Sequence, residues 1–138
     1  MRLLNIYGKL VYKNVNKFRI EWDEKSRSNP QFKTKQFLKK YWFYHIVYEE
    51  FPVYGTLMKI DFLNATKKIA IEVNGSQHSS YSKFFHGSRS GWFNHIKRDF
   101  KKLEWLESNG YTLLEIEAGD VDDLSLDFLK TKFDISII

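Results

Sequence analysis

The stretch Ile69-Ala70-Ile71-Glu72-Val73-Asn74 determines how the rest of the chain is interpreted. Its apolar residues cover both faces of an extended strand, which is typical of a central strand buried on each side. Glu72 interrupts the apolar run, and an unpaired ionised carboxylate would be costly to bury there. The stretch therefore predicts a central β-strand that carries a compensated acid.

A second acid is expected beside Glu72. Asp61 lies in the preceding strand candidate, and an antiparallel hairpin through residues 64–67 would bring the two carboxylates together. Adjacent carboxylates repel each other unless a cation or a shared proton joins them, and Mg²⁺ (or Mn²⁺) prefers such oxygen ligands. The alternative is a pair of exposed hairpin acids that bind Lys59 or Lys68.

Two further residues are candidates for the same site. Residues 92–108 have a helical pattern in which Asp99 shares the apolar stripe, so its carboxylate is directed at the core. A buried salt bridge is the alternative explanation for this acid. His78 follows the Glu72 strand closely, and an imidazole there can exchange a proton with water near neutral pH.

The remaining pattern predicts an α/β (α+β) domain. The N-terminal segments alternate apolar and polar residues, which indicates a small antiparallel meander. Asn29 is the expected cap, and Pro30 the first residue, of a helix that ends near Tyr41. The predicted elements besides this helix are strands at residues 3–7, 9–15, 18–22, 45–53, 57–63, 68–74 and 111–116, and helices at residues 92–108 and 123–132.

Length and composition suit one globular domain. A chain of 138 residues with 43% hydrophobic content can bury a single core, and no apolar run reaches the roughly 18 residues that a membrane span needs. Residues 1–10 lack the apolar region of a secretory signal. Without cysteine, any metal ligands are oxygen or imidazole. We therefore expect an intracellular, cytoplasmic protein with no membrane partner.

Positive charge is concentrated early in the chain. Residues 1–40 contain 11 Lys or Arg and 3 Asp or Glu, whereas the other 98 residues contain 11 and 14. This distribution suits a polyanion such as double-stranded DNA, although a solvated surface gives the same composition. Residues 79–91 mix cations with rings that would either stack on bases or form a flap over the core. The candidate DNA-contacting residues are Lys25, Arg27, Lys33, Lys35, Lys39, Lys40, Lys83, Phe85, Arg89 and Arg98.

The order of these motifs resembles that of a known family. Asp61, the run from Ile69 to His78, Arg98-Asp99 and residues 106–116 are similar to the PD-(D/E)XK nuclease superfamily. The similarity is greatest to its Vsr-like branch, which has an E-D-x-H-D pattern and includes phage free-standing homing endonucleases. The resemblance covers roughly residues 25–117.

The resemblance implies a restriction-endonuclease-like core with a central mixed sheet. Residues 1–24 would be an N-terminal extension and residues 118–138 a C-terminal helix and tail, within a single domain of residues 1–138. It also implies a phage gene expressed in a bacterial host. The activity it implies is Mg²⁺-dependent hydrolysis of phosphodiester bonds in DNA.

Roles for individual residues follow from the same resemblance. Asp61, Glu72 and the backbone of Val73 would bind the metal, His78 would transfer a proton, and Asp99 would be the distal acid. The full set of candidate catalytic residues is Asp61, Glu72, His78, Asp99, Asn74, Gln77, Gln31 and Glu50.

Three departures from the family pattern bear on function. Asn74 stands where the superfamily often has Lys, so charge stabilisation would fall to the metal, to His78 or to a basic residue elsewhere. Gln31 stands where the first acid of the pattern lies, and Glu50 is the alternative source of that acid. The absence of cysteine ligands for the zinc of Vsr repair enzymes favours the homing branch.

Three functions are compatible with the sequence. The first is a site-directed endonuclease of double-stranded DNA, and the second is a nuclease specific for mismatches, branches or repair intermediates. The third is a non-catalytic DNA-binding module, which Asn74 and Gln31 would support. One chain offers one candidate site, so a double-strand break would require a homodimer or two successive visits.

Overall fold

The computed structural model describes residues 1–75 and 100–138, which form an α+β fold. Their main sheet has four strands in spatial order β3-β4-β5-β6. Strands β3, β4 and β5 are antiparallel neighbours, whereas β6 is parallel to β5. The sheet is therefore mixed, which is the sheet type that the family resemblance implies. Its strands are β3 (Val47–Pro52), β4 (Lys59–Asn64), β5 (Ile69–Asn74) and β6 (Thr112–Glu117).

The first helix, α1, covers Asn29–Trp42. Its cap is Ser28 and not Asn29, because Ser28 has extended backbone and its hydroxyl accepts a hydrogen bond from the Gln31 N–H at 3.3 Å. Residues 100–108 are helical and form α2, and Leu126–Phe133 form α3. Within the described ranges, no helix is both long and apolar enough to cross a bilayer.

The N-terminal segment forms a two-stranded hairpin, with β1 (Arg2–Leu4) antiparallel to β2 (Leu10–Tyr12). The predicted third strand at residues 18–22 is wrong. Asn16–Phe18 form a 3-10 turn instead, and Arg19 makes an isolated bridge to Tyr48 of β3. The reason is the packing of Phe18, whose ring meets Phe51 edge-on at 6.1 Å and fixes the turn against β3.

The C-terminal segment starts with a 3-10 turn, Ala118–Asp123, and continues into α3. Asp123 therefore belongs to the turn and not to the helix that the sequence predicts from this residue. Ser125 caps α3 by accepting the Phe128 N–H at 2.9 Å. Trp42 in turn donates its ring N–H to the Ile137 carbonyl at 2.8 Å, which joins the tail to the end of α1.

Apolar side chains fill both faces of the main sheet. Ile69 and Ile71 of β5 pack in the cluster that contains α1 and α3 residues, whereas Ala70 packs in a second cluster with Trp105 and Leu106 of α2. Strand β5 is therefore a central strand covered on each side, as its composition predicts. Because both faces of β5 are buried, a ligand would reach its polar side chains at the end of the strand.

Candidate active site

Asp61 and Glu72 face each other where β4 and β5 separate. The last pair of the ladder is Phe62 with Ile71, and the next opposing positions in the same register are Asp61 and Glu72. Asp61 is 4% exposed and Glu72 7%. The structure thus places the two acids side by side, as the predicted hairpin requires, and buries both of them.

Beyond the last backbone pair of β4 and β5, the two carboxylates accept the hydrogen bonds that join the strands. Glu72 Oε2 accepts the backbone N–H of Asp61 at 3.0 Å, and Asp61 Oδ2 accepts the backbone N–H of Val73 at 2.8 Å. Each acid therefore uses one oxygen to bind the neighbouring strand. This arrangement fixes the orientation of both carboxylates before any ligand binds.

The other two carboxylate oxygens face cationic side chains. Arg27 donates to Asp61 Oδ1 at 3.4 Å, and Lys102 of α2 donates to Glu72 Oε1 at 2.5 Å. The alternative in which exposed hairpin acids bind Lys59 or Lys68 is wrong, because the acids are buried and their partners come from elsewhere in the chain. The site therefore combines two acids with two cations.

Burial, and after it the neighbouring negative charge of Glu72, raise the pKa of Asp61 to about 8. The Val73 N–H and the Arg27 guanidinium lower this pKa but do not balance the first two effects. The pair therefore resists holding two full negative charges. A bound divalent cation would relieve this repulsion directly.

Gln31 and Glu50, the two alternatives for the first acid of the family pattern, lie together. Gln31 is 1% exposed, and its side-chain amide donates to Glu50 Oε1 at 3.1 Å. Arg27 Nε lies 3.8 Å from the same Glu50 oxygen while its Nη2 contacts Asp61. Both residues therefore lie next to the acidic pair, and both remain candidates for the first position of the family pattern.

Glu50 has an unusual backbone for a non-glycine residue in a strand. Its φ is +53°, and it lies opposite Asp61, between the pairs Glu49 with Phe62 and Phe51 with Ile60. A left-handed residue of this kind costs roughly 1–3 kcal/mol and is concentrated at functional sites. The strain interrupts the β3–β4 ladder beside Asp61.

A second charged cluster lies beside this site. Lys35 of α1 is completely buried, and its ammonium donates to Glu49 Oε1 at 2.8 Å and to the Glu24 carbonyl at 2.7 Å. Glu49 Oε2 accepts from Ser26 at 2.6 Å and from Gln31 at 3.0 Å. The prediction that Lys35 belongs to an exposed basic helix face is wrong, because this lysine is buried and pairs with Glu49, whose side chain is 14% exposed.

The other predicted basic residues of α1 are partly neutralised by acids. Lys33 pairs with Asp122 at 3.0 Å, and Lys39 pairs with Asp23 at 2.7 Å. Lys40 is exposed. The helix therefore does not present a uniformly basic stripe.

Lys102 is the site residue that the sequence alone does not identify. Its side chain is 19% exposed and pairs with Glu72, yet its place in the helical pattern marks it only as a flank of the apolar stripe. The signal in the sequence is indirect: Asn74 lacks the charge expected two residues after Glu72, so a cation is required from elsewhere. Asn74 itself is the 8%-exposed last residue of β5.

Several sequence predictions fall on residues 76–99, outside the described part of the chain. They concern a catalytic group, comprising Gln77, His78 and Asp99, and a DNA-contacting group, comprising Lys83, Phe85, Arg89 and Arg98. Their roles remain predictions from the sequence.

Metal binding by the described residues would depend on the two acids. In the ranges 1–75 and 100–138, no three His, Asp or Glu side chains are grouped so that they could hold a metal. Asp61 and Glu72 form a pair, and the third protein ligand expected from the sequence is the Val73 carbonyl. Buried, mutually repelling oxygen donors nevertheless have the chemistry that hard divalent cations prefer.

A groove of about 970 Å³ borders the site. Arg27, Glu50 and Lys102 line it, so three groups around the acidic pair are open to a ligand in the groove. The remaining wall residues come from the N-terminal segment, the segment before α1 and the β3–β4 turn: Lys17, Phe18, Arg19, Glu21, Glu24, Lys25, Ser26, Glu49, Leu57, Met58 and Lys59.

Comparison with known proteins gives one partial similarity. No protein-family model matches the chain, and no solved structure matches it significantly. A region of 65 residues is 34% identical to the uncharacterized protein 033L of Invertebrate iridescent virus 3. The aligned region is 47% of this chain and 34% of that relative, so the chain spans about a third of the relative's length.

Proposed function

We propose that the protein is a metal-dependent endonuclease that hydrolyses phosphodiester bonds in double-stranded DNA. The observation that carries this proposal is the buried Asp61–Glu72 pair, in which each acid is fixed by a backbone N–H and directs its second oxygen toward a cation. A solely structural pair of this kind would place two like charges together without benefit to folding. A bound divalent metal would offset the repulsion between the two acids, and a bound phosphate would interact with the two cations beside them.

Mg²⁺ or Mn²⁺ would be held by Asp61 and Glu72, with the Val73 carbonyl as the expected third protein ligand. When bound, the ion supplies positive charge that polarises the scissile phosphate. The donor set consists of oxygen atoms, which suits these ions better than zinc or copper.

Lys102 would provide the positive charge that Asn74 cannot. Its ammonium contacts Glu72 and lines the groove, so a phosphate bound beside the acidic pair would lie near it. Negative charge that develops on the phosphate in the transition state would be stabilised by such a preorganised cation. Lys102 would in this way compensate for Asn74, one of the two departures that support a non-catalytic module.

Glu50, which lines the groove, would orient the attacking water, and buried Gln31 would hold Glu50 in position. Gln31 is held by Glu49 and in turn holds Glu50, so both side chains are positioned before substrate binds. His78 and Asp99 keep the roles of proton-transfer residue and distal acid that the family resemblance implies. We propose that cleavage is directed to a specific DNA site, as it is in phage homing endonucleases.

A plasmid-nicking assay tests this proposal. Wild-type protein with Mg²⁺ or Mn²⁺ should convert supercoiled DNA to the nicked form, and EDTA should abolish the conversion. Asp61→Asn and Glu72→Gln keep the shape of the side chains and should each reduce the rate by roughly 10³-fold, or about 4 kcal/mol of transition-state stabilisation. The exposed Asp123→Asn serves as the matched control and should cut like the wild type.

Two results would contradict the proposal. Equal nicking by wild type and Asp61→Asn would exclude the acidic pair as the active site. DNA binding that does not respond to divalent metal, with no cleavage of linear, mismatched or branched substrates, would support the non-catalytic module instead. Cleavage restricted to mismatched or branched DNA would identify the structure-specific nuclease.

A further inference from the structure

The turn between β3 and β4 exposes one large apolar side chain beside the candidate active site. Leu57 is 99% exposed, the highest value among the large hydrophobic side chains of the described residues. It lines the same groove as Arg27 and Lys102. An isolated exposed leucine is common on protein surfaces, so its significance depends on how it is held and on what surrounds it.

Four hydrogen bonds cross-link the turn that carries Leu57. Thr56 donates its backbone N–H and its hydroxyl to the Val53 carbonyl, at 3.0 and 2.9 Å. The same hydroxyl accepts the Met58 N–H at 3.0 Å, and the Val53 N–H donates to the Met58 carbonyl at 2.9 Å. Hydrogen bonds on both sides of Leu57 therefore hold its backbone in a fixed position.

The N-terminal hairpin supports this turn from behind. The Ile6 N–H donates to the Tyr54 carbonyl at 3.0 Å, and Tyr54 is fully buried. Gly55 has a φ of +91°, and a Cβ at this position would lie 3.2 Å from Ile6 Cγ1. The turn therefore packs directly against the hairpin, with no room for a side chain at Gly55.

The groove around Leu57 has the charge expected for binding a DNA backbone. Six basic residues line it, while its acids include Glu49, which pairs with buried Lys35, and Glu50, which lies near Arg27. Glu21 and Glu24 are the other two acids. The basic residues, which come from different segments of the chain, are Lys17, Arg19, Lys25, Arg27, Lys59 and Lys102.

We propose that Leu57 is a wedge that inserts between base pairs of the bound duplex beside the cleaved phosphodiester bond. The basic residues of the groove would bind the phosphates and hold the duplex against the turn. Apolar side chains that enter a base step unstack and bend DNA in this way. The inference rests on the proposed function and adds a substrate preference: a pyrimidine–purine step, which unstacks easily, next to the cut.

A protein partner fits this feature less well than DNA. A stable protein interface buries roughly 1,200–2,000 Å² and has an apolar centre. The other groove residues of the turn and its surroundings are largely charged, and Leu57 stands among them as a single exposed apolar group. A single apolar side chain flanked by cations suits DNA, because the side chain can contact unstacked bases while the cations contact the phosphates.

The experiment compares Leu57→Ala with the wild type and with Leu10→Ala, a matched control at an exposed leucine that does not line the groove. Each protein is incubated with plasmid DNA and Mg²⁺ or Mn²⁺, and the cut ends are mapped by sequencing. Wild type and Leu10→Ala should cut preferentially beside pyrimidine–purine steps. Leu57→Ala should lose this preference and cut intact duplex roughly 10- to 100-fold more slowly.

A second substrate separates the wedge from a loss of folding. It is a duplex containing a mapped wild-type site with a mismatch at the expected step, where stacking is already weakened. Leu57→Ala should recover on this duplex to within roughly threefold of the wild type, because the unstacking cost is already lowered. Unchanged cut positions, or an equal loss on intact and mismatched DNA, would overturn the wedge while leaving the endonuclease proposal intact. Failure of the wild type to cut any DNA would overturn both.

Discussion

Two charged clusters lie on neighbouring strands of the main sheet, and their charges are balanced in different ways. In the first, the acid Glu49 meets the buried ammonium of Lys35. In the second, Asp61 meets another acid, Glu72, and the nearby cations are partly exposed: the Arg27 side chain is 69% exposed and that of Lys102 19%. Gln31 lies between the clusters and donates to Glu49 and Glu50.

This difference distinguishes a cluster that supports the fold from a cluster that forms the candidate active site. Glu49 lines the same groove, but it accepts hydrogen bonds from Lys35, Ser26 and Gln31, so its charge is balanced within the protein. The Asp61–Glu72 pair relies on cations that also line an open groove and that a ligand can therefore reach. The first cluster should control stability, and the second should control metal binding and chemistry.

Replacing Lys35 should have the largest effect on stability. Lys35→Met leaves the partly buried Glu49 without its cation, and breaking a pair whose lysine is fully buried costs up to about 3–5 kcal/mol. The free energy of unfolding, measured by urea titration, should fall by that amount. Lys33→Met, which removes an exposed pair with Asp122, is the control and should cost less than about 1 kcal/mol.

A double variant makes the test more specific. Lys35→Met combined with Glu49→Gln removes both charges and should recover a large part of the lost stability. If Lys35→Met were as stable as Lys33→Met, Glu49 would not depend on this lysine, and the contrast between the two clusters would disappear.

The sequence predicts those parts of the molecule that follow from local patterns. Strands β3 to β6 and helix α1 lie where apolar periodicity places them, and the Asp61–Glu72 pairing follows from a short hairpin between adjacent strands. This periodicity is local, so a single sequence contains it. The juxtaposition of the two acids is therefore predictable from the amino-acid sequence alone.

Other parts depend on contacts between distant segments. Lys35 looks like an exposed helix residue until Glu49 and the Glu24 carbonyl surround it, and Lys102 acquires its role through a partner 30 positions away. The left-handed backbone of Glu50 has no local signal, because no glycine or turn sequence accompanies it. Tertiary contacts fix these features, and the sequence pattern does not contain them.

The second cluster should make the stability of the metal-free protein fall as pH rises. The pKa of Asp61 is about 8 in the folded protein and 3.8 in its ordinary state, so the folded state binds the proton more tightly. The stability from this proton is fully present below about pH 4 and is lost as pH rises through about 8. A loss of stability between these two pH values is therefore the expected signature of the acidic pair.

Thermal unfolding of wild type and Asp61→Asn checks this expectation. In EDTA, the melting temperature of the wild type should drop relative to Asp61→Asn by roughly 5 °C or more between pH 5 and pH 8. Adding Mg²⁺ at pH 8 should raise the melting temperature of the wild type and leave that of Asp61→Asn unchanged, because the variant lacks one of the two proposed metal ligands. A constant difference between the two proteins across this range would show that Asp61 ionises as an ordinary carboxyl.

Removing Lys102 should have the smallest of the three effects and should act on chemistry more than on stability. Lys102→Ala is expected to lower kcat for nicking roughly 10- to 100-fold, with KM for DNA changed less than about threefold, since the proposed role of its ammonium is to stabilise charge that develops in the transition state. Lys101→Ala is the matched control, because Lys101 is the exposed neighbour in α2. A change confined to KM would assign Lys102 to DNA binding.

A compensating variant gives this prediction its sharpest form. Asn74 stands at the position where the resembled superfamily often has its lysine, so Asn74→Lys introduced into Lys102→Ala should restore most of the lost kcat. Recovery is expected because both positions border Glu72, Asn74 along β5 and Lys102 through its ion pair. If Asn74→Lys restored nothing while the double variant stayed folded, Lys102 would act by holding Glu72 in place and not by stabilising charge on the phosphate.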